Sequence, residues 1–261
     1  MEQTAYEILQ AARSKNRPTA TAYISALFTD FIELHGDRRF GDDPAVIGGI
    51  ARLQGMPVTV IGQEKGSGLS DRMYRNFAMA HPEGYRKALR LMKQAEKFHR
   101  PVITLVDTGG AFCGLGAEER GQGQAIAENL CEMMSLRTPI LTVLIGEGGS
   151  GGALGLAVAN EVWMMENSVY SVISPEGCAS ILWKDASKVK EACSCLHLTP
   201  QDLYKLGLIE RIIPEEESFE RQCARLSAEM AETVRKLSAC TAEELTNTRY
   251  DRFRRMGVYS E

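Results

Sequence analysis

The chain has 261 residues, 44% of them hydrophobic and 25% charged, with a formal net charge of −4. That is the composition of a globular protein with ample core, and the acidic balance argues against nucleic acid as the main partner. No apolar run of about 18 residues reads as a membrane span, and the polar start Met1-Glu-Gln-Thr-Ala-Tyr-Glu7 is not a signal peptide, so the cytoplasm is the expected compartment.

The first forty residues read as helical. Thr19 caps a helix whose apolar positions Tyr23, Leu27, Phe28, Phe31 and Leu34 follow a 3.6 period, with Gly36 ending it. Two strands follow, Ala45–Leu53 and Pro57–Gly62, and the loop Gln54-Gly55 suits a hairpin. Glu64 to Arg75 reads as a charged loop, and Pro82 starts a helix with Tyr85, Leu89 and Met92 on one side.

An alternation comes next. Val102–Val106 is a buried-type strand, Asp107–Gly116 a glycine-rich loop, and Glu118–Leu136 a helix. Ile140–Ile145 is a second strand, Gly146–Gly152 a second glycine-rich loop, and Ala153–Ala159 a helix. Val162–Met165 and Val169–Val172 are short strands, and the tail from Ser218 is charged and helical. Strand, loop and helix twice over indicate an α/β fold with parallel strands. Both glycine-rich loops follow strand C-termini, where such folds bind ligands.

Gly146, Gly148, Gly149, Gly151 and Gly152 fall within seven residues. A turn that opens into a helix leaves its first N–H groups unpaired, which suits an anion or an oxyanion formed during a reaction. Close strand–helix packing is the competing explanation, but five glycines cost backbone entropy that packing alone rarely justifies. In the first glycine-rich loop, Asp107 is either a catalytic acid or a cap, and Glu118 and Glu119 suit a helix start.

Gly148-Gly-Ser-Gly-Gly152 formally matches the G-x-S-x-G elbow of serine hydrolases. A triad built on Ser150 would need a late histidine, which leaves His197, without a signature around it. No dinucleotide fingerprint with its acidic partner and no P-loop is present. The seven cysteines, at 113, 131, 178, 193, 195, 223 and 240, read as reduced thiols, and Cys193-x-Cys195 is too short for a zinc knuckle, so no metal site is expected. What remains is stabilisation of a developing carbonyl charge by backbone amides.

Five segments carry a more specific signal: Arg75-Asn-Phe77, Pro82-Glu-Gly-Tyr-Arg-Lys-Ala-Leu-Arg-Leu-Met92, Gly116-Ala-Glu-Glu-Arg-Gly-Gln122, Ile145 to Leu154, and Tyr170-Ser-Val-Ile-Ser-Pro-Glu-Gly-Cys-Ala-Ser-Ile-Leu-Trp-Lys184. In this order the chain resembles the carboxyltransferase alpha subunits of bacterial multi-subunit acetyl-CoA carboxylases over roughly residues 20 to 255.

The resemblance implies a crotonase-like superhelix of ββα units with helical extensions at both ends. Its single carboxyltransferase domain would run 1–261, with an N-terminal helical segment 1–40, a core 41–215 and C-terminal helices 216–261. It implies transfer of a carboxyl group from carboxybiotin, held on a separate biotin carboxyl carrier protein, to the coenzyme A thioester acetyl-CoA, giving malonyl-CoA for fatty-acid synthesis. A zinc-ribbon beta subunit is the implied partner, in an α2β2 assembly that works with biotin carboxylase; zinc belongs to the beta subunit and not to this chain. The implied catalytic groups are the backbone amides of Gly151 and Gly152, an oxyanion hole facing biotin, with Gly148, Gly149, Gly109, Gly110 and Ala111 around the substrate.

Some positions depart from the family pattern. Where members often have Asp-Thr-Pro-Gly-Ala-Tyr-Pro-Gly, this chain has Asp107-Thr-Gly-Gly-Ala-Phe-Cys-Gly114, and Gln63 stands where a histidine is common. The long N-terminal helical segment of many members is expected to be missing. The alternative on the same fold is a carboxyltransferase or decarboxylase subunit for another acyl-CoA, propionyl- or glutaconyl-CoA. A serine hydrolase and a scaffold for the beta subunit are the readings from other classes.

Overall fold

The computed structural model describes residues 3–257. The chain opens with α1 (Ala5–Ala12), held by a Thr4–Glu7 capping box, and α2 (Ala20–Leu27). β1 (Thr29–Glu33), β2 (Val46–Leu53) and β3 (Met56–Gln63) follow as an antiparallel meander. The turn from β2 to β3 puts Gln54 at φ 46° and Gly55 at φ 81°, the two left-handed residues of a tight hairpin, with Leu53 opposite Met56.

Then come α3 (Leu69–Tyr74), a 3-10 turn over Asn76–Ala78, α4 (Pro82–Lys97) and β4 (Val102–Thr108). α5 (Leu115–Glu119), α6 (Gln122–Ser135), β5 (Ile140–Gly149) and α7 (Ser150–Leu154) complete the central part. The last third holds β6 (Glu161–Met165), β7 (Val169–Ser171), α8 (Pro175–Trp183), α9 (Val189–Leu196), α10 (Pro200–Lys205), β8 (Arg211–Ile213), α11 (Phe219–Ser238) and α12 (Ala242–Arg254).

All eight strands form one sheet in the order β1-β2-β3-β4-β5-β6-β8, and β7 pairs with the far end of β5. From β3 onward every pairing is parallel. The period-2 alternation of the central strands divides the core in two. Val102 and Val106 face Tyr85, Leu91 and Met92 of α4 and Met133 of α6. Ile103, Leu105, Leu141 and Val143 face Tyr23 and Ile24 of α2 and Leu226, Met230 and Val234 of α11.

Four readings of the sequence need correction. The N-terminal segment 1–40 is not helical throughout: α2 stops at Leu27 and Thr29–Glu33 pairs with β2, because Phe31 and Ile32 extend the antiparallel edge of the sheet. Residues Leu69–Tyr74, read as loop, are helical. The helix expected over Glu118–Leu136 is two helices, broken where Gly121 takes φ 83°. Residues 146–152 are not a loop either: β5 runs through Gly149, and α7 begins at the next residue and ends at Leu154.

The buried Arg249 fastens α12 to this body. Its guanidinium donates to the carbonyls of Met133, Met134, Leu136 and Thr138 and to Asn160 Oδ1, at 2.6–3.2 Å. It thereby caps the C-terminal end of α6, whose last carbonyls have no partner inside the helix. Among the described residues no helix is long and apolar enough to cross a membrane.

Candidate active site

Two glycine runs lie against each other at the C-terminal ends of β4 and β5. A side chain at Gly149 would collide with the carbonyl of Gly109, and one at Gly152 would collide with Gly110 and the amide of Ala111. Gly109, Gly110 and Ala111 are thus brought to Gly149 and Gly152 by backbone packing, which only glycine permits at this distance. Gly148 has a different role. It is buried in β5, opposite Thr108 and Tyr170, and a Cβ there would meet Tyr170 Cδ2 at 2.8 Å. Gly148 and Gly149 border a void of only about 20 Å³.

Gly151 faces outward. The nearest atom to a Cβ there is Ile126 Cγ2, at 3.7 Å, and beside Gly151 and Ser150 opens a cavity of about 380 Å³. Its walls are largely apolar, with Leu154, Tyr170, Leu208 and Phe253 among them. In a helix that starts at Ser150, the amides of Ser150, Gly151 and Gly152 precede the first intrahelical bond. The helix start therefore presents unpaired donors, with no side chain at Gly151 to cover them, and can receive an oxygen that gains negative charge.

The first glycine run is held from outside. Thr108 Oγ1 lies 2.6 Å from Ala78 O and 2.7 Å from Gly110 O, and the Gly110 amide donates to it at 3.2 Å. Gln122 Nε2 donates to Ala80 O and Phe112 O, and the Phe112 ring stacks on His81 with centroids 4.2 Å apart. Phe112 and Cys113, two of the departures from the family pattern, lie in this braced segment.

Behind the glycines a partly buried ionic cluster lies around a second cavity of about 240 Å³. Lys65 Nζ lies 2.7 Å from Asp107 Oδ1 and 3.0 Å from Glu147 Oε2, and Arg13 joins Glu147 to Glu176. Burial opposes the charge on Lys65, but the two carboxylates outweigh it and hold its pKa above the ordinary value. Burial pushes Asp107 up against the pull of Lys65, whereas Lys65 and Arg13 more than offset burial at Glu147 and hold it low. Asp107 also accepts the Glu147 amide at 2.8 Å. It is an anchor between β4 and β5; of the two roles the sequence left open, catalytic acid or cap, the cap is not taken up, since α5 is capped at Gly114.

Ser150 takes φ 51°, the left-handed turn that a nucleophile elbow also uses. Its hydroxyl forms no hydrogen bond among the described residues, and His197, on the same cavity wall, lies near Asp202 at 3.8 Å. A triad needs a base bonded to the nucleophile, and none is in place. Among the described residues no group of three or more His, Cys, Asp or Glu could hold a metal ion. Arg13 and Lys65 had no motif to mark them, and Gln122 and Glu147 lie inside the quoted segments without a role assigned there, because each acts through a partner 40 or more residues away in sequence.

The fold, with a one-turn helix leaving β5 from a glycine run, matches solved carboxyltransferase domains of crotonase-like architecture. The chain superposes on transcarboxylase 12S with a TM-score of 0.70 at 17% identity, covering 83% of this chain and 41% of that one. It superposes on the beta subunit of P. aeruginosa geranyl-CoA carboxylase with a TM-score of 0.68 at 15% identity, covering 92% and 46%.

Sequence comparison narrows the class. Residues 1–257 match the family described as acetyl co-enzyme A carboxylase carboxyltransferase-like. The acetyl-coenzyme A carboxylase carboxyl transferase subunit alpha of Ruminiclostridium cellulolyticum is 57% identical over 259 residues, covering 99% of this chain and all of that protein. A Natranaerobius thermophilus protein described as subunits beta/alpha is 54% identical over 263 residues, covering 99% of this chain and 44% of its own. The chain belongs to the acetyl-CoA carboxylase carboxyltransferase family, in its alpha-subunit branch.

Proposed function

We propose that the chain is the biotin-facing half of a carboxyltransferase that moves a carboxyl group from carboxybiotin to acetyl-CoA, forming malonyl-CoA. The observation that carries the reading is the helix start at Ser150: first-turn amides of Gly151 and Gly152 without an intrahelical partner, a bare Gly151, and a cavity of about 380 Å³ lined by Ser150 and Gly151, with Gly152 buried behind them. Biotin, carried on a separate carrier protein, supplies a ureido group whose oxygen gains negative charge when its carboxyl group leaves as CO2. The Gly151 and Gly152 amides fit that oxygen, and the glycines leave room for its approach. One such donor is worth about 2.7–4 kcal/mol of barrier. The apolar walls keep water from competing for the donors. Gly109, Gly110 and Ala111 shape the floor by fixing Gly149 and Gly152.

The helix start provides for biotin alone, whose ureido group after CO2 loss can itself take the proton of the thioester methyl group, so the site needs a second half to hold the thioester. That half is a zinc-ribbon beta subunit, expected in an α2β2 assembly with biotin carboxylase and the carrier protein as further partners, in the cytoplasm. This chain itself needs no metal. The test is to purify the chain alone and with a beta subunit, and to follow malonyl-CoA decarboxylation with free biotin as acceptor. Activity only in the complex supports the proposal; equal activity of the chain alone overturns it.

A further inference from the structure

The carbonyl end of α7 has an unusual set of partners. The helix is a single turn, and the Leu156 amide, which a longer helix would send to Gly152 O, goes to Ala153 O at 3.0 Å. Gly152 O instead receives Gln63 Nε2 at 2.8 Å and Tyr85 Oη at 3.2 Å. Gly155 O receives Asn129 Nδ2 at 2.9 Å. Leu156 O receives Thr104 Oγ1 at 2.8 Å, and Thr142 Oγ1 lies 2.7 Å from that hydroxyl and 3.2 Å from the same carbonyl.

All five side chains are fully buried, and each comes from a different element: β3, α4, β4, α6 and β5. Thr104 shares its face of β4 with Val102 and Val106, so a hydroxyl stands where the pattern calls for another apolar group. Gln63 Oε1 and Asn129 Oδ1 have no hydrogen-bond partner among the described residues. A buried amide left half-paired costs stability, and an apolar side chain of the same size would avoid that cost. The feature these five share is donation to the carbonyls of one short segment.

We propose that Gln63 and Tyr85, with Asn129, Thr104 and Thr142 below them, form a buried polar cradle that fixes α7 and so aims the Gly151 and Gly152 amides. They are positioning residues for carboxyl transfer, and this inference rests on the oxyanion reading of those glycines. Gly152 joins the two functions: its amide lies in the first turn of α7 beside Gly151, which lines the cavity, and its carbonyl is clamped by Gln63 and Tyr85. Burial, with Asp43 nearby, pushes the Tyr85 phenol up, so it stays a protonated donor. A pre-set donor does not reorganise as charge develops, which is what makes it effective.

The test uses the complex of this chain with a beta subunit and follows malonyl-CoA decarboxylation with free biotin. Gln63→Met keeps the size and removes the donor. Its kcat should fall about 10- to 100-fold, the scale of a small misplacement of reacting groups, with KM for malonyl-CoA unchanged. Its melting temperature should be no lower than wild type, because an orphaned amide oxygen disappears and Tyr85 still serves Gly152 O. Tyr85→Phe should lose kcat in the same way, and Gln63→His, which restores an N–H donor, should recover most of the rate. Wild-type kcat in both Gln63→Met and Tyr85→Phe overturns the cradle, as does a kcat loss that merely follows a fall in melting temperature. Gly152→Val in the same complex separates the two claims. If it is inactive while the cradle variants are not, only the cradle fails; if it keeps wild-type turnover, the oxyanion reading fails and the cradle with it.

Discussion

Lys65 and Asp107 meet 2.7 Å apart behind the first glycine run, and the same ammonium reaches Glu147 on the neighbouring strand. One cation thus ties the ends of β4 and β5, from which both glycine runs depart. Replacing it by methionine leaves two buried carboxylates with less compensation. Lys65→Met should destabilise the chain by about 3–5 kcal/mol, the cost of breaking a buried pair, measured from urea midpoints. A loss below about 1 kcal/mol would mean that the cluster is a surface-like pair without structural weight.

Arg249 offers a second test of buried charge. Burial pushes its pKa down to about 10, and its partners are four carbonyls and one amide oxygen. Arg249→Met should leave several of these acceptors unpaired, at about 1–3 kcal/mol each. Arg249→Lys should not rescue, since an ammonium has three donors and cannot span the acceptors of α6 and Asn160. Chemical denaturation of both variants measures this; wild-type stability in Arg249→Lys would refute the clamp.

Acid should weaken the loop that holds Asp37. Burial pushes that carboxyl up, but the amides of Arg39 and Phe40, the Arg86 guanidinium and the Gly41 amide more than offset it and bring it to about 2, from an ordinary 3.8. Between those values the unfolded chain binds the proton and the folded one does not, so stability falls as pH falls through this window. Asp43 and Asp107, pushed up by burial, act in the opposite sense. The clean observable is the stability difference between wild type and Asp37→Asn, which should be full above about pH 4 and shrink toward pH 2. A difference independent of pH over that range would show that Asp37 does not ionise as described.

Ser150 should be dispensable as a nucleophile. Its exposed hydroxyl has no base, and its φ of 51° favours glycine. Ser150→Gly should keep turnover within a few-fold of wild type and be at least as stable, because the left-handed strain is relieved. A serine-directed fluorophosphonate should not label the chain. Loss of activity in Ser150→Gly together with labelling would restore the hydrolase reading.

The α/β character, the parallel alternation and the place of both glycine runs at strand ends were legible in the sequence, because Val102–Val106 and Ile140–Ile145 are continuous apolar runs followed by glycines. The hairpin at Gln54-Gly55 was legible from its turn residues. β1 was not, since Phe31 and Leu34 also satisfy a helical period, and only pairing with β2 decides between the two. The extension of β5 through Gly149 was hidden because glycine has low strand propensity; pairing with β7 holds it extended. Gly151 and Gly152 looked equivalent in sequence, whereas one faces a cavity and the other is pressed against Gly110 and Ala111. The cradle and the Lys65 cluster were invisible, because their members are joined only by the fold.

On the proposed function, the helix start at Gly151 and Gly152 stabilises the charge that develops on biotin. The most direct measurement is single-turnover carboxyl transfer from malonyl-CoA to biotin by the complex carrying Gly152→Val, beside the wild-type complex. Gly152→Val puts a side chain into Gly110 and the Ala111 amide and displaces the donor. The rate constant should fall by about 10²–10³, the range for losing one oxyanion donor, with assembly on the beta subunit retained. A wild-type rate constant from a fully assembled Gly152→Val complex would contradict the account.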